Sequence, residues 1–149
     1  GDRTEHVLWR LQHGEVDGLS PKLIVLMIGT NNLMRDSVEQ VAEGILAIVK
    51  ELRTRCPETH LLLLGIFPRA EQASDPLRVK LTEINRRLDA AALGEKTTFH
   101  DIGADFLQPD GTLSREIMPD LLHPNERGYE IWAEAIRAEV EKHILHHQP

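Results

Sequence analysis

Two short stretches hold side chains whose types and spacing suit acid–base and anion-stabilising chemistry. In Asp120-Leu121-Leu122-His123 a carboxylate stands three residues before a histidine. At that spacing the carboxylate can hydrogen-bond one ring nitrogen and leave the other facing a reacting group. Taken alone, such a pair is more often a loop salt bridge. Gly29-Thr30-Asn31-Asn32 directly follows an apolar run. A glycine there lets the chain turn sharply, and Asn31 would present its side-chain amide above the sheet edge as a neutral donor. The bland reading is a turn asparagine. A third stretch, Gly1-Asp2, precedes a helix, where a backbone N–H could face an anion; by itself it carries almost no weight. Together, an amide donor and an oriented histidine are parts of an acyl-transfer apparatus, oxyanion donors and a general base. No nucleophile accompanies them. The chain has no Gly-x-Ser-x-Gly elbow. Gly18-Leu19-Ser20 lacks the second glycine and precedes a strand. Ser37 reads as a helix cap, and Ser74 and Ser114 lie in loops without a turn motif.

The elements that must position these residues follow from periodicity and punctuation. Glu5–Gln12 reads as a short helix, with Thr4 as its N-cap and Gly14 as its stop. Leu23–Ile28 is six apolar residues without a polar face, the pattern of a parallel strand buried on both sides. Ser37, with Gln40 three residues on, forms a capping box for a long helix whose stripe is Val38, Val41, Ile45, Ile48, Val49 and Leu52, closed by Pro57. Leu61–Leu64 reads as a second buried strand. Pro76–Ala92 reads as a helix carrying Leu77, Leu81, Ile84 and Leu88, stopped by Gly94. Thr97–Ile102 reads as a third strand, and residues 103–119 as loop with a turn at Pro109-Asp110-Gly111. Pro124 and Asn125 open a final helix that runs to about Leu145. Strands alternating with helices imply right-handed βαβ units on a parallel sheet. Ligands of such sheets bind beyond the carboxyl ends of the strands, which is where both stretches fall.

The 149 residues carry 24 acidic and 17 basic side chains, a net charge of −7. That argues against a nucleic-acid module, which shows a basic face. The length suits one domain. No apolar run approaches the roughly 20 residues of a membrane helix. The single cysteine, Cys56, forbids an internal disulfide and reads as structural; it leaves the compartment open, leaning to the cytoplasm. His143, His146 and His147 stand at helical spacing near the end, where histidines can hold a metal; the reading favoured is a solvated tail. Trp9 and Trp132 read as core or interface residues.

At these residues the chain resembles the SGNH (GDSL-type) hydrolases, and within them the catalytic subunits of the intracellular platelet-activating-factor acetylhydrolases and their bacterial relatives. Gly1-Asp2-Arg3-Thr4-Glu5-His6-Val7-Leu8-Trp9-Arg10-Leu11 resembles the stretch around that family's oxyanion glycine. Gly29-Thr30-Asn31-Asn32 resembles the block with its oxyanion asparagine, although many relatives have Asp where Asn32 stands. Asp120-Leu121-Leu122-His123-Pro124 resembles the block with its Asp and His. The resemblance implies a flavodoxin-like three-layer α/β/α fold around a parallel sheet. It implies Gly1 and Asn31 as oxyanion donors, His123 as base and Asp120 as its orienting partner, with no metal or organic cofactor. Thr30 and Leu122 would wall an acyl pocket suited to short acyl groups.

The family's nucleophile sits in a Gly-Asp-Ser block at the end of its first strand, and this chain begins after that block. The expectation is therefore that residues 1–149 are the C-terminal part of a single hydrolase domain, without its N-terminal strand-helix-strand segment. The chain would supply base and oxyanion hole for a small ester substrate. Its open sheet edge would be covered by an N-terminal segment on a separate chain or by a homo-oligomer partner. The alternative from another class is a flavodoxin-like binding or interaction domain without catalysis.

Overall fold

The computed structural model describes residues 1–144. Three parallel strands, β1 (Leu23–Leu26), β2 (His60–Leu64) and β3 (Thr97–His100), lie side by side in that order. Helices α1 (Thr4–Gln12), α2 (Val38–Arg55), α3 (Pro76–Asp89) and α4 (Glu126–Ile144) alternate with them.

The central strand decides how the layers form. Successive side chains of a strand point to opposite faces, and every one from Leu61 to Leu64 is buried. Leu61 and Leu63 pack with Leu11 of α1, with Val41, Ile45, Ile48, Val49 and Leu52 of α2, and with Leu81, Ile84 and Leu88 of α3. Leu62 and Leu64 pack on the other face with Phe67, Phe106 and Met118, joined by Ile131, Trp132 and Ala135 of α4. The two clusters make the sandwich three layers deep. Each fully buried leucine contributes on the order of 1.5–3 kcal/mol relative to exposure.

Local chemistry sets the helix ends. Ser37 Oγ accepts from the Gln40 N–H at 3.2 Å and Gln40 Oε1 accepts from the Ser37 N–H at 2.8 Å, the expected capping box of α2. Asp75 caps α3 through the Leu77 N–H, with Pro76 at the first helical position. At α1 the expectation needs correcting: Arg3 is the N-cap, and Thr4 is the first helical residue, only 5% exposed. Its hydroxyl is held by Asn32 instead of capping the helix. Gly44 lets α1 press onto α2 at this point, since a Cβ there would stand 2.7 Å from Thr4 Oγ1.

Three further expectations shift. β1 ends at Leu26 and is not buried on both faces, Val25 being 39% exposed; among the described residues it pairs with β2 alone, which leaves the open edge that was expected. An all-apolar run marks a strand but does not show how much of it an open edge leaves exposed. The loop after β3 contains a 3-10 turn, Gly103–Phe106, and a bridge between Leu107 and Leu113. Trp9 is 59% exposed and stacks on His13 one turn along α1, whereas Trp132 meets Phe67 edge-on in the core. The final helix starts at Glu126, with the Asn125 side chain accepting from the Gly128 N–H; Leu145, His146 and His147 lie outside the described residues. Among the described residues no helix is long and apolar enough to cross a membrane.

Ile84 is fully buried between α3 and the sheet, while Met34 is 76% exposed. Ile84→Ala is expected to lower unfolding free energy by roughly 2–5 kcal/mol, and Met34→Ala to stay within about 0.5 kcal/mol of the parent. Equilibrium urea denaturation read by circular dichroism checks both.

Candidate active site

Because all three strands run the same way, the loops that leave them meet at one end of the sheet. The first follows β1. Gly29 turns the chain with φ of 120°, and a Cβ at that position would lie 2.8 Å from Ile66 Cδ1 and 3.1 Å from Ile45 Cδ1. A side chain there would thus be strained twice, by backbone and by contact. The next residues, Thr30–Asn32, form one 3-10 turn. Asn31 is exposed, and its Nδ2 donates to the Asp2 backbone oxygen at 2.9 Å. An amide nitrogen carries two hydrogens, so one remains beside Gly1. Gly1 itself lies so close that a Cβ on it would stand 2.3 Å from Asn31 Nδ2. The two residues expected to act as donors are therefore in contact.

Asn32, passed over in reading the sequence, holds this contact in place. It is 1% exposed. Its Oδ1 accepts from the Thr4 N–H at 3.1 Å, one of the donors a helix start leaves unpaired. Its Nδ2 is shared among Asp36 Oδ2 at 2.7 Å and Thr4 Oγ1 and Glu5 Oε2 at 3.2 Å each. Arg35 clamps Glu5 and Asp36 from the solvent side. Hydrogen bonds from Arg35 and then Asn32 hold the Asp36 carboxyl down at about 2.

The second loop follows β2. Asn85 of α3, also buried, accepts from the Ile66 N–H at 2.8 Å and donates to the Ile66 carbonyl at 3.0 Å and to Asp101 Oδ2 at 3.0 Å. Arg78 of α3 is 4% exposed and spends its guanidinium on the carbonyls of Arg69, Ala70 and Gly111. Burial pushes its pKa down from the ordinary value. Arg69 in turn reaches back to the carbonyl and hydroxyl of Thr30, at 3.3 and 3.4 Å.

The third loop precedes α4. The Ala70 N–H donates to the Leu121 carbonyl at 3.1 Å, and both residues adopt left-handed backbone, with φ of 62° and 58°. Such conformations cost a non-glycine residue free energy and persist here because Arg78 and this bond hold both sides. Asp120 Oδ1 accepts from the N–H groups of Leu122 and His123 at 3.0 and 2.8 Å; its Oδ2 meets His123 Nδ1 at 2.6 Å. The His123 side-chain bond, followed by its backbone bond, holds the Asp120 carboxyl down to about 2. Nε2 is left for another partner, and the His123 side chain is 76% exposed.

The structure thus places Gly1 against Asn31, pairs Asp120 with His123, and joins the two through Thr30, Arg69, Ala70 and Leu121. Thr30 is occupied by Arg69, and Leu122 is half-buried beside His123. Cavities of about 800 and 620 Å³ lie elsewhere, the first between α3 and the loop after β3, the second at the opposite end of the sheet. Reading the sequence also missed Arg78 and Asn85. The available signal was their place on the apolar stripe of α3, beside Leu81, Ile84 and Leu88, where a polar residue must find buried partners.

A three-layer α/β/α fold with an aspartate–histidine pair at the carboxyl ends of parallel strands is the class of protein these observations define. The family model of the GDSL-like lipases and acylhydrolases matches residues 1–131, and the chain belongs to that family. It is 42% identical over 130 residues to platelet-activating factor acetylhydrolase IB subunit alpha1 of Homo sapiens, covering 87% of this chain and 55% of the human one. To subunit alpha2 of Gallus gallus it is 42% identical over 124 residues, 83% of this chain and 53% of the chicken one. The chain spans about half the length of these relatives. A GDSL-like lipase from Bacteroides thetaiotaomicron superposes with a TM-score of 0.79 at 22% identity, over 95% of this chain and 72% of that one. A mutant acetylxylan esterase from Geobacillus stearothermophilus superposes with a TM-score of 0.74 at 19% identity, over 93% and 68%. At those identities the likeness shows the shared fold.

Two measurements test the geometry. Asn32→Ala strips the buried Thr4 N–H of its acceptor, a loss of about 1–3 kcal/mol, and amide exchange at Thr4 is expected to accelerate accordingly. The Asp120 carboxyl carbon is expected to titrate near 2 by NMR, and in His123→Ala to move up toward the ordinary aspartate value of 3.8. Because the folded pKa is depressed, the stability this group adds is present above about 4 and disappears as pH falls through about 2.

Proposed function

We propose that residues 1–149 supply the base and the oxyanion hole of a serine carboxylic-ester hydrolase acting on short acyl esters. The observation that carries this is the 2.6 Å bond from Asp120 to His123 Nδ1, which leaves Nε2 available at the sheet end where Gly1 and Asn31 meet. In this reading Asp120 fixes the tautomer and stabilises the imidazolium as it forms. His123 takes the proton from a serine hydroxyl as that oxygen attacks the ester carbonyl, then returns it to the departing alcohol. Water repeats the attack on the acyl-enzyme, again with His123 as base. The remaining Asn31 N–H and the backbone N–H of Gly1 receive the oxyanion, where donors set in advance lower the barrier most.

The serine is assigned to a Gly-Asp-Ser block outside residues 1–149. Within the chain, Ser37 caps α2 and the Ser114 hydroxyl accepts from the Glu116 N–H. The names of the relatives support an acetyl or similarly short acyl group. The acetylxylan esterase offers a parallel in residue type and spacing: structures described as its catalytic mutants replace a serine, an aspartate, and a histidine three positions after that aspartate. Thr30 and Leu122 are proposed as walls of the acyl pocket. The open side of β1, with Val25 partly exposed, is proposed to pair with a strand of the segment that carries the serine, or with a second copy, since such an edge recruits strands.

In the protein that includes the Gly-Asp-Ser segment, His123→Ala is expected to abolish nearly all turnover of p-nitrophenyl acetate, and Asn31→Ala to lower kcat by roughly 10²–10³. Undiminished turnover in His123→Ala would refute the mechanism. A parent protein without turnover on any short acyl ester would favour the non-catalytic alternative.

A further inference from the structure

At the amino-terminal end of the sheet, far from Asp120 and His123 in the fold, a second cluster of chemistry-bearing side chains comes together. His60 opens β2, and strand alternation puts it on the same face as Leu62 and Leu64, the face that α4 covers. Glu139 and His143 stand four residues apart on α4, one above the other on one side of the helix. One nitrogen or oxygen from each of the three lies within 4.8 Å of the others, and all three residues are half-buried.

We propose that His60, Glu139 and His143 form a binding site for a divalent d-block cation, zinc by the nature of the ligand set, which clasps α4 to the central strand. Two imidazoles and a carboxylate, with water in a fourth position, are a normal zinc complement. The spacing is near what the ion requires. Bonds of about 2.0–2.2 Å at tetrahedral angles put ligand atoms about 3.4 Å apart, and His143 Nε2 lies 3.4 Å from Glu139 Oε2. Those same two atoms are shut off from solvent and make no hydrogen bond. They face each other as an ion pair only when His143 is protonated; with the neutral imidazole that binds metal both lack a partner, which is costly, and a shared cation satisfies both at once.

The third ligand is also prepared. His60 Nε2 bonds Thr98 Oγ1 of β3 at 2.9 Å, which leaves Nδ1 for a metal and steadies the ring from behind, as outer partners of ligating histidines do. The His60 and His143 rings stack with centroids 3.7 Å apart and planes 14° from parallel. Parallel rings aim their lone pairs past one another, so capture requires the His60 ring to tilt about its Thr98 bond while Glu139 and His143 keep their spacing. The cavity of about 620 Å³ that both histidines line supplies the room and the entrance.

The test uses untagged protein stripped with EDTA and titrated with Zn²⁺ against a chromophoric chelator, then with Co²⁺ for its absorption spectrum. One equivalent is expected to bind, with a tetrahedral Co²⁺ spectrum and a raised melting temperature. His60→Ala and Glu139→Gln are each expected to weaken binding at least tenfold, circular dichroism confirming that each variant folds. A double His146→Ala, His147→Ala variant is expected to bind like the parent. The proposal is overturned by an absence of binding in the parent, by unchanged affinity in both His60→Ala and Glu139→Gln, or by loss of binding in the double variant, which would assign the metal to the tail. Glu139→Gln removes only charge, so a folding failure of His60→Ala still leaves a decisive variant.

Discussion

One buried amide, that of Asn32, ties the start of α1 to the turn after β1, and the arrangement at the carboxyl end of the sheet depends on it. The turn and the helix are 28 residues apart in sequence. Without a fixed link, Gly1 and Asn31 would ride on separate elements and have no reason to stay in contact. Asn32 serves because an amide both donates and accepts. Its oxygen takes the Thr4 N–H while its nitrogen is drawn to Asp36, Glu5 and Thr4 Oγ1. The surrounding charges balance: Arg35 lies between Glu5 and Asp36, and Arg3 also pairs with Glu5. Relatives with Asp at this position would carry one more negative charge into the same cluster, so the neutral amide suits a site that already holds two carboxylates.

A second constraint governs the histidine. Asp120 and His123 are close in sequence and would pair in many loop conformations. Where the pair stands is a separate matter, decided by Arg78. Its guanidinium is an unusual group to bury, since a charge without a carboxylate partner is costly to desolvate. Donors spread over the carbonyls of Arg69, Ala70 and Gly111 offset that cost. The gain is positional: Ala70, held left-handed, reaches Leu121, also left-handed, two residues before His123. Strain in two non-glycine residues is thus kept where three loops converge, a common place for strain to be tolerated.

The two ends of the molecule divide their tasks. The carboxyl end gathers an exposed, hydrogen-bonded aspartate–histidine pair and an amide donor. The amino end closes β2 against α4 with half-buried histidines and a carboxylate. Helix α4 joins them, since it begins just after His123 and carries Glu139 and His143 near its far end. Anything that steadies α4 on the sheet therefore also steadies the base of the loop that presents His123.

Much of this was legible in the residue order. The apolar runs and their punctuation located the three strands and four α-helices of the described residues, because burial period and capping are local properties. The capping box at Ser37 and the Asp120–His123 bond were legible for the same reason, their partners being three residues apart. The open edge at β1 was expected from the resemblance, but the exposure of Val25 was not legible, because a run of apolar residues reports average burial and not which of them an open edge leaves uncovered. Thr4 misled as a cap because its hydroxyl is claimed by Asn32, a residue distant in sequence. Arg78, Asn85 and the His60–Glu139–His143 cluster stayed hidden for one reason: each joins groups on different elements, and sequence order carries no distance between them. The sequence by itself determined which elements form and which short motifs they carry. The tertiary structure alone decided which buried polar groups face one another, because only packing brings donors and acceptors from separate elements within 3 Å.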